Sequence, residues 1–227
     1  MFILNFINMP RITIIPTSHI ARESLEKVKE TIEKEKPDCL AVELDIDRYH
    51  FLKSNEKGSL MEMIKNLGLF TSLIYFVLKK LQNYLGSKTG IIPGSEMIKA
   101  VDIGLSEGIT VAFVDQNIGK TMFGIKKIKL SEKLKLFWIL IKGIFGMAFP
   151  FGKKTTIDLN KVPEKSLIDQ AMSFLKKELP GFYRVLVEDR NRIMAKNLKE
   201  LGKKFDNIVC VVGAGHEEGM KELLNKK

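Results

Sequence analysis

The sequence predicts an α/β protein in which a small, mainly parallel sheet carries a large helical insertion or cap. Four short apolar runs have the length and composition of buried strands, and stretches with helical periodicity separate them. Strands that alternate with helices favour a parallel sheet with right-handed crossovers. With 227 residues, 45% of them apolar and 28% charged, the chain has the composition of a globular protein and is long enough to bury a core.

The first half of the predicted core consists of two strands and the helix between them. The strands are the apolar runs at 12–17 (ITIIPT) and 38–44 (DCLAVEL). The intervening stretch places Leu25, Val28 and Ile32 at helical spacing, so that these three side chains share one face. We therefore expect this helix to pack its apolar face on the sheet.

The second half of the predicted core follows the same pattern. The third strand is expected at 109–115 (ITVAFVD) and the fourth at 206–213 (DNIVCVVG). A helix precedes the third strand and stops at Gly108. Its expected inward positions are Met97, Ala100, Val101 and Gly104.

The connections that follow the second and third strands are long and rich in helical patterns. These patterns cover 45–57, 60–85, 118–150 and 163–203, and the clearest loops are GSKTGIIPG and FPFGKKTTIDLN. We expect a single domain over 1–227. Its α/β core is predicted from 11–45, 94–117 and 206–227, and its mostly helical insertions from about 46–90 and 118–203.

Positive charge is concentrated in one segment of the chain. The net charge is +10, and between Gly119 and Lys165 there are eleven lysines against three acidic residues. Within 119–152 the lysines alternate with aromatic and aliphatic residues, which is typical of a helix at an anionic membrane surface or at a helix interface such as that of a homodimer. A solvated lysine face over an ordinary apolar stripe has the same composition. Because the segment contains no arginine, we expect no nucleic-acid partner.

The cysteines and the apolar segments favour a cytoplasmic protein, with membrane association as the alternative. Cys39 and Cys210 both lie in apolar strand-like runs, so they are expected to be buried thiols in a reducing compartment. The amino-terminal stretch lacks the basic region and cleavage site of a signal peptide. The most apolar run, 67–78, is shorter than the roughly 20 residues that a membrane-spanning helix needs.

Two nucleotide-binding motifs are incomplete, so we expect no nucleotide cofactor. In GAGHEEG, the third glycine of a dinucleotide fingerprint would have to stand at position 218, which holds Glu218. In NIGKT, the first glycine of a phosphate loop would fall at Val114.

Each predicted strand delivers titratable residues at its carboxyl end. At or just beyond the strand ends lie His19 for the first strand, Glu43 and Asp45 for the second, Asp115 for the third and His216 for the fourth. In open parallel sheets, ligands bind at the edge where the carboxyl ends of the strands meet. The sequence therefore predicts that these side chains line one site.

Two histidines and a glutamate are the donor set of a metal site with a place left for water. Imidazole and carboxylate suit zinc, manganese, cobalt or ferrous iron, so His19, Glu43 and His216 are the candidate metal ligands. A metal-bound water can lose its proton near neutral pH and attack a carbonyl group. Asp45 or Asp115 could then orient a histidine or act as a base.

Simpler explanations exist for each of these residues. A histidine at a strand end often caps a helix or bonds a loop, and glycines beside it can serve turn geometry alone. Glu43 could pair with Arg48 or with Arg190. His50 lies within a helical pattern and is expected at the surface.

Six motifs in order resemble the TraB/PrgY family, the archaeal and bacterial relatives of the Tiki proteins. The stretches are PTSHIARES, AVELDIDRY, GSEMIKA, VDQNIGKT, EDRNRIMAKNL and VVGAGHEEGM, and they extend from about Ile12 to Met220. The resemblance implies a Tiki-type α/β core with a proposed metal-dependent peptidase centre, and a peptide as substrate or ligand. Bacterial members are linked to the control of peptide pheromones, by cleavage or by sequestration.

Carried over by position, the resemblance implies the same three metal ligands as the strand ends, and the strand ends with their neighbouring motifs supply the other candidate residues. The candidate catalytic residues are Glu43, Asp115 and Arg190, and the candidate metal ligands are again His19, Glu43 and His216. The candidate ligand-binding residues are Ser18, Asp45, Arg48, Glu96, Asp189, Gly213 and Gly215.

Three positions depart from the family pattern near the predicted site. Pro16 replaces the first glycine of the G-x-x-H motif, Gln116 replaces an arginine, and Asn191 replaces an aspartate. Proline fixes φ and removes an N–H donor, and the other two changes alter charge. The fold expectation does not depend on these positions, but the activity does.

Overall fold

The computed structural model describes residues 10–17, 22–54, 68, 72, 95–144 and 165–226. Within these residues the chain forms a four-stranded, all-parallel sheet with the strand order β1-β4-β2-β3. The strands are β1 (Arg11–Thr17), β2 (Cys39–Val42), β3 (Thr110–Phe113) and β4 (Asn207–Gly213). Each overlaps its predicted apolar run, and the α/β fold class is confirmed.

Helices connect and flank the strands. They are α1 (Arg22–Glu35), α2 (Ile46–Ser54), α3 (Ser95–Ser106), α4 (Ile118–Lys127), α5 (Leu130–Ile144), α6 (Lys165–Glu178), α7 (Pro180–Tyr183), α8 (Asp189–Leu201) and α9 (Glu217–Asn225). A π-helical segment, Arg184–Glu188, joins α7 to α8, and a 3₁₀ turn, Ala214–His216, joins β4 to α9. None of the described helices is long and apolar enough to cross a bilayer.

The strand register brings the carboxyl ends of the strands to one edge. Thr17 lies beside Gly213 in the β1–β4 pair, and Val42 lies beside both Val211 and Phe113 in the pairs that β2 forms. The pairing continues past β2, because the Glu43 N–H donates to the Val211 carbonyl at 3.0 Å. The residues that follow each strand therefore emerge side by side.

Alternate residues of the central strands feed two separate cores. On one face, Leu40 and Val42 of β2 pack with the inward sides of α1 and α3. On the other face, Cys39 and Ala41 pack with α8 and α9 through Met194, Leu198 and Met220. Both faces of β2 and β4 are covered by helices, which is why these strands read as continuous apolar runs.

The helix α3 has the packing that its sequence predicts. Met97, Ala100 and Val101 are buried, and Gly108 has φ +69° just beyond the helix, where glycine ends helices without strain. At Gly104 the helix approaches the sheet so closely that an added Cβ would lie 2.8 Å from Val111 and 2.9 Å from Leu40. In α1, Val28 and Ile32 are buried as predicted, and the Leu25 side chain lies outside the described part.

The long helical patterns divide into shorter helices than the sequence analysis predicts. The pattern at 118–150 divides at Ile128, which is extended, and Lys133 donates to the Lys126 carbonyl at the end of α4. Burial lowers the pKa of Lys133, and Lys126 lowers it further. The pattern at 163–203 divides before Pro180, which starts α7 because its missing N–H costs nothing in a first turn. A third core joins these helices through Ile125, Ile128, Leu179, Phe182 and Val185.

Some sequence predictions concern segments beyond this description. The helical pattern at 60–85, the run at 67–78 and both predicted loops lie almost wholly outside the described residues. The division of the chain into one core and two insertions stays a prediction.

The two cysteines are buried free thiols, as expected from their strand positions. Burial raises the pKa of Cys39 to about 11, with a smaller contribution from Asp38. Burial also raises the pKa of Cys210. Both side chains act as small apolar residues of the core.

Candidate functional site

A buried cluster of charges lies at the carboxyl edge of the sheet. Glu43 follows β2 and Asp115 follows β3, and each side chain is only 2% exposed. Arg190 of α8 bridges them. Its Nε and Nη2 donate to the two oxygens of Asp115 at 3.0 and 2.7 Å, and Nη2 also donates to Glu43 Oε1. Of the two partners that the sequence allowed for Glu43, the structure therefore shows Arg190.

Arg48 extends this cluster toward solvent. Its Nη1 donates to Asp115 Oδ2 at 3.3 Å, and its side chain is 32% exposed, against 14% for that of Arg190. Burial alone would lower the pKa of Arg190, but the charges and hydrogen bonds of Glu43 and Asp115 outweigh it and raise that pKa. Two guanidinium groups thus balance two carboxylates that would otherwise be buried without compensation.

The acceptor sites of Asp115 are filled. Oδ1 accepts from Arg190 Nε and from the Gln116 N–H, which is 2.8 Å away, and Oδ2 accepts from Arg190 Nη2 and Arg48 Nη1. A carboxylate has about four lone-pair directions. Asp115 therefore holds the two arginines in place, and its catalytic role stays a prediction.

Glu43 is also held by the last residue of β4. The Gly213 N–H donates to Glu43 Oε2 at 2.6 Å. Gly213 has φ −61°, so its backbone conformation is open to any residue. At Gly215 an added Cβ would lie 3.1 Å from Met172 Cε of α6, so the flexible end of that side chain would have to move by a few tenths of an ångström.

His216 lies between Glu43 and Asn191 in the turn after β4. Its Nε2 is 3.3 Å from Glu43 Oε1, and its Nδ1 is 2.7 Å from Asn191 Oδ1. Both His216 and Asn191 are buried, at 7% and 5% exposure. An amide offers an acceptor and a donor, so Asn191 can serve either imidazole tautomer, whereas an aspartate only accepts. When Nδ1–H donates to Asn191, Nε2 is the nitrogen left for a metal or a second proton.

Asn191 is the site residue whose role sequence reasoning missed. It was noted only as a departure from the family pattern. Its spacing to Met194 and Leu198 places all three on the buried face of α8, and this spacing was the available signal. Gly219 of α9 makes room for it, since a Cβ added there would overlap the Asn191 amide.

The π-helical segment before α8 also escaped sequence reasoning. It buries Val185 and Val187 and ends one residue before Asp189. Arg190 Nη1 lies 3.4 Å from the Leu186 carbonyl of this segment. Single π turns recur next to functional residues because they change the register of the helix that follows.

Two of the three predicted ligands have donor atoms at a separation that suits one metal ion. In a tetrahedral site with bonds of about 2.0–2.1 Å, neighbouring ligand atoms are about 3.3–3.4 Å apart. Glu43 Oε1 and His216 Nε2 are 3.3 Å apart, so this oxygen and nitrogen can share one ion. Within the described residues, no three metal-ligating side chains form a group. The other predicted ligand, His19, lies outside the described residues, as does Ser18.

Asp45 and Glu96, two of the predicted ligand-binding residues, lie at the starts of helices. Asp45 Oδ1 accepts from the N–H groups of Asp47 and Arg48 at 3.2 and 3.3 Å, so Asp45 caps α2. Its other oxygen is buried and has no hydrogen-bond partner in the described part of the chain. Glu96 is 1% exposed in the first turn of α3.

Asp189 and His50 point away from the cluster. Asp189 is 40% exposed and pairs with Arg192 at 2.8 Å on the outer side of α8. His50 is exposed, as predicted. Although Asp189 is next to Arg190 in sequence, the helix turns the two side chains in different directions.

The other two departures from the family pattern are accommodated in the fold. Pro16 is paired beside Val212 in β1, which is an edge strand and so a position where proline is tolerated. The buried Gln116 side chain donates to the Thr121 hydroxyl at 2.7 Å. It anchors α4 to the sheet edge.

Comparison with known proteins confirms the family resemblance. The model of the TraB/PrgY/gumN family matches residues 8–227. The uncharacterized protein MJ1365 of Methanocaldococcus jannaschii is 35% identical over 227 residues, which cover 99% of this chain and 56% of that protein. TraB domain-containing proteins of Mus musculus and Homo sapiens are 24% and 23% identical, and each alignment covers 93% of this chain and 62% of the relative. The chain thus spans less than two thirds of the length of these relatives.

Proposed function

Because this chain belongs to the TraB/PrgY/gumN family, we propose that the carboxyl edge of its sheet is the site of a metal-dependent hydrolase of the peptidase type. The observation that carries the proposal is the 3.3 Å approach of His216 Nε2 to Glu43 Oε1, with the imidazole held by Asn191. His19, which follows the neighbouring strand β1, is the proposed third ligand. Zinc, manganese and cobalt all suit these donors.

The charged residues around the two described ligands have separate tasks. When bound, a divalent ion supplies Lewis-acid polarisation of a carbonyl group and a water acidic enough to lose its proton near neutral pH. Arg190 fixes the Glu43 carboxylate, and Asp115 fixes Arg190. Arg48 is the partly exposed cation of the cluster, so in this proposal it orients an anionic group of a peptide.

Asp45 is the proposed proton acceptor. A general base needs a carboxylate oxygen that is not already engaged. All acceptor sites of Asp115 are filled, whereas Asp45 Oδ2 has no partner among the described residues. The variant Asp45→Asn keeps the cap of α2, because asparagine caps as well as aspartate, and removes only the basic oxygen. It should therefore abolish hydrolysis without weakening metal binding.

Metal binding tests the proposal before any substrate is known. Wild-type protein is titrated with zinc, manganese and cobalt chloride in a calorimeter, beside His19→Ala, His216→Ala and His50→Ala. We expect one ion per chain, lost in the first two variants and retained in His50→Ala, because His50 is exposed. Binding that survives both His19→Ala and His216→Ala would contradict the proposal.

A second candidate is a module that binds a peptide or small ligand without metal or catalysis. The observation in its favour is that Arg190 and Arg48 together already balance the charges of Glu43 and Asp115, so an added divalent ion would meet a neutral site. This candidate predicts that the wild type binds none of the three metals. It also predicts that an anionic peptide binds the wild type and binds Arg48→Gln more weakly.

A further inference from the structure

The helix α5 exposes a row of large apolar side chains away from the candidate site. Leu130, Leu134 and Trp138 are four residues apart, so they lie along one side of the helix, and they are 57%, 38% and 59% exposed. Phe123 of α4 is 56% exposed. The opposite side of α5 contributes Leu136 and Ile139 to the third core, so α5 is apolar on two faces. We call Phe123, Leu130, Leu134 and Trp138 the apolar row.

The surroundings of the apolar row are mainly basic, although Lys133 is buried and Lys135 pairs with Glu178 of α6 at 2.7 Å. The stretch 118–144 contains seven lysines and a single acidic residue, Glu132. Glu132 is turned inward, where it accepts a hydrogen bond from the Phe182 N–H at 3.0 Å. Lys127 Nζ lies 4.2 Å from the centre of the Phe123 ring, and Lys129 is exposed beside Leu130. No carboxylate of α4 or α5 is therefore presented beside the apolar row.

We propose that the apolar row and its lysines form a docking surface for an anionic lipid bilayer. A helix that lies in the interface plane inserts Trp and Leu side chains at the headgroup boundary and places lysines against anionic lipids. Tryptophan prefers this boundary because its ring is apolar and its N–H is polar. A protein partner for the same face would need carboxylates to meet the lysines and an apolar groove to meet the row. A bilayer with anionic lipid supplies negative charge in its headgroups and an apolar interior beneath them, along its whole surface.

The fluorescence of the tryptophan in the apolar row can be used to measure this interaction. Trp138 is the single tryptophan of the sequence. We expect its emission to shift to the blue when wild-type protein is mixed with vesicles that contain phosphatidylserine, and to be quenched by brominated lipid. Pure phosphatidylcholine vesicles should bind at least about tenfold more weakly, and high salt should weaken binding to the anionic vesicles.

Two double Lys→Glu variants, one beside the apolar row and one elsewhere, distinguish binding by this face from a general effect of net charge. Lys127→Glu/Lys129→Glu changes two lysines beside the apolar row, and Lys196→Glu/Lys204→Glu changes two exposed lysines on and after α8. Both double variants lower the net charge equally. We expect the first to reduce vesicle binding at least about tenfold and the second to reduce it much less. Leu134→Gln, which leaves Trp138 in place, should reduce the blue shift.

Three results would overturn the proposal. One is an emission spectrum that anionic vesicles leave unchanged. Another is equal loss of binding in the two double variants, which would show a general charge effect. The third is a blue shift that depends on protein concentration without lipid, which would show that a second copy of the chain covers the row.

Discussion

Replacing Arg190 by methionine is the most informative single change in the charged cluster. Methionine keeps much of the length and apolar stem of the side chain but removes the guanidinium group. Glu43 and Asp115, each with a side chain 2% exposed, would then lie close together without their shared cation. Arg48 would remain as a partner of Asp115 only.

The expected loss of stability is large for a single helix residue. Removing one partner of a buried ion pair costs about 3–5 kcal/mol, because it leaves a charge buried without compensation. Arg190 serves two such carboxylates, so we expect the unfolding free energy of Arg190→Met to fall by at least about 3 kcal/mol at pH 7. That is a sizeable part of the roughly 5–15 kcal/mol that stabilises a domain.

Urea unfolding followed by circular dichroism measures this loss, and the chain offers a matched control. Arg192 lies two residues further along α8, is 60% exposed and pairs with Asp189 and Glu188 at the surface. An exposed pair contributes about 0–1 kcal/mol, so Arg192→Met should unfold near the wild-type midpoint. Arg190→Lys should fall between the two, because lysine keeps the charge but cannot form the side-on pair with Asp115.

One outcome would refute this reasoning. If Arg190→Met loses less than about 1 kcal/mol, with an unchanged dependence on urea, the cluster is not a stabilising buried network. The expected ranking is Arg192→Met, then Arg190→Lys, then Arg190→Met in order of increasing loss.

Three further predictions concern the partners of His216 and the buried thiols. Asn191→Leu should lower the unfolding free energy by about 1–3 kcal/mol, because it leaves His216 Nδ1 buried without a partner, while Asn191→Asp should restore much of the loss. Gly219→Ala should destabilise in thermal unfolding, although alanine normally favours a helix by about 0.5–1 kcal/mol, because the added Cβ overlaps the Asn191 amide. Cys39 and Cys210 should react with a thiol reagent at pH 8 at least about 100-fold more slowly in native than in urea-unfolded protein, because both are buried and their pKa values are raised.

Each of these has its own contrary result. Unchanged stability of Asn191→Leu would mean that the contact with His216 contributes nothing. A more stable Gly219→Ala would mean that α8 and α9 can move apart to accommodate the added Cβ without loss of stability. Rapid modification of native protein would place the thiols at an accessible surface.

The sheet could be predicted from the sequence because each strand is marked by a short apolar run of neighbouring residues. Runs such as 38–44 and 206–213 are too short and too apolar to be surface helices, and helical stretches on either side require parallel pairing. Parallel pairing brings strand ends together whatever the side chains are. The order of strands and helices along the chain was therefore enough to predict that Glu43, Asp115 and His216 lie at one edge of the sheet.

The pairing of individual side chains depends on helix register, which the sequence shows poorly. The sequence allows Glu43 to pair with Arg48 or with Arg190. Which arginine pairs with Glu43 depends on the orientation of α8 after its π-helical segment. The sequence carries no clear sign of that extra-wide turn. Asn191 was visible as a buried position, but its bond to His216 depends on where α9 begins and on the space that Gly219 leaves.

A crystal structure grown with zinc, with anomalous data at the zinc edge, would show whether the sheet edge holds a metal ion. We expect one strong anomalous peak at the carboxyl edge of the sheet, about 2.0–2.2 Å from Glu43 and from His216 Nε2, with His19 as the third ligand. An ordered edge without a peak, with Glu43 bound only by Arg190, Gly213 and His216, would contradict this expectation. The site would then be a metal-free binding cleft.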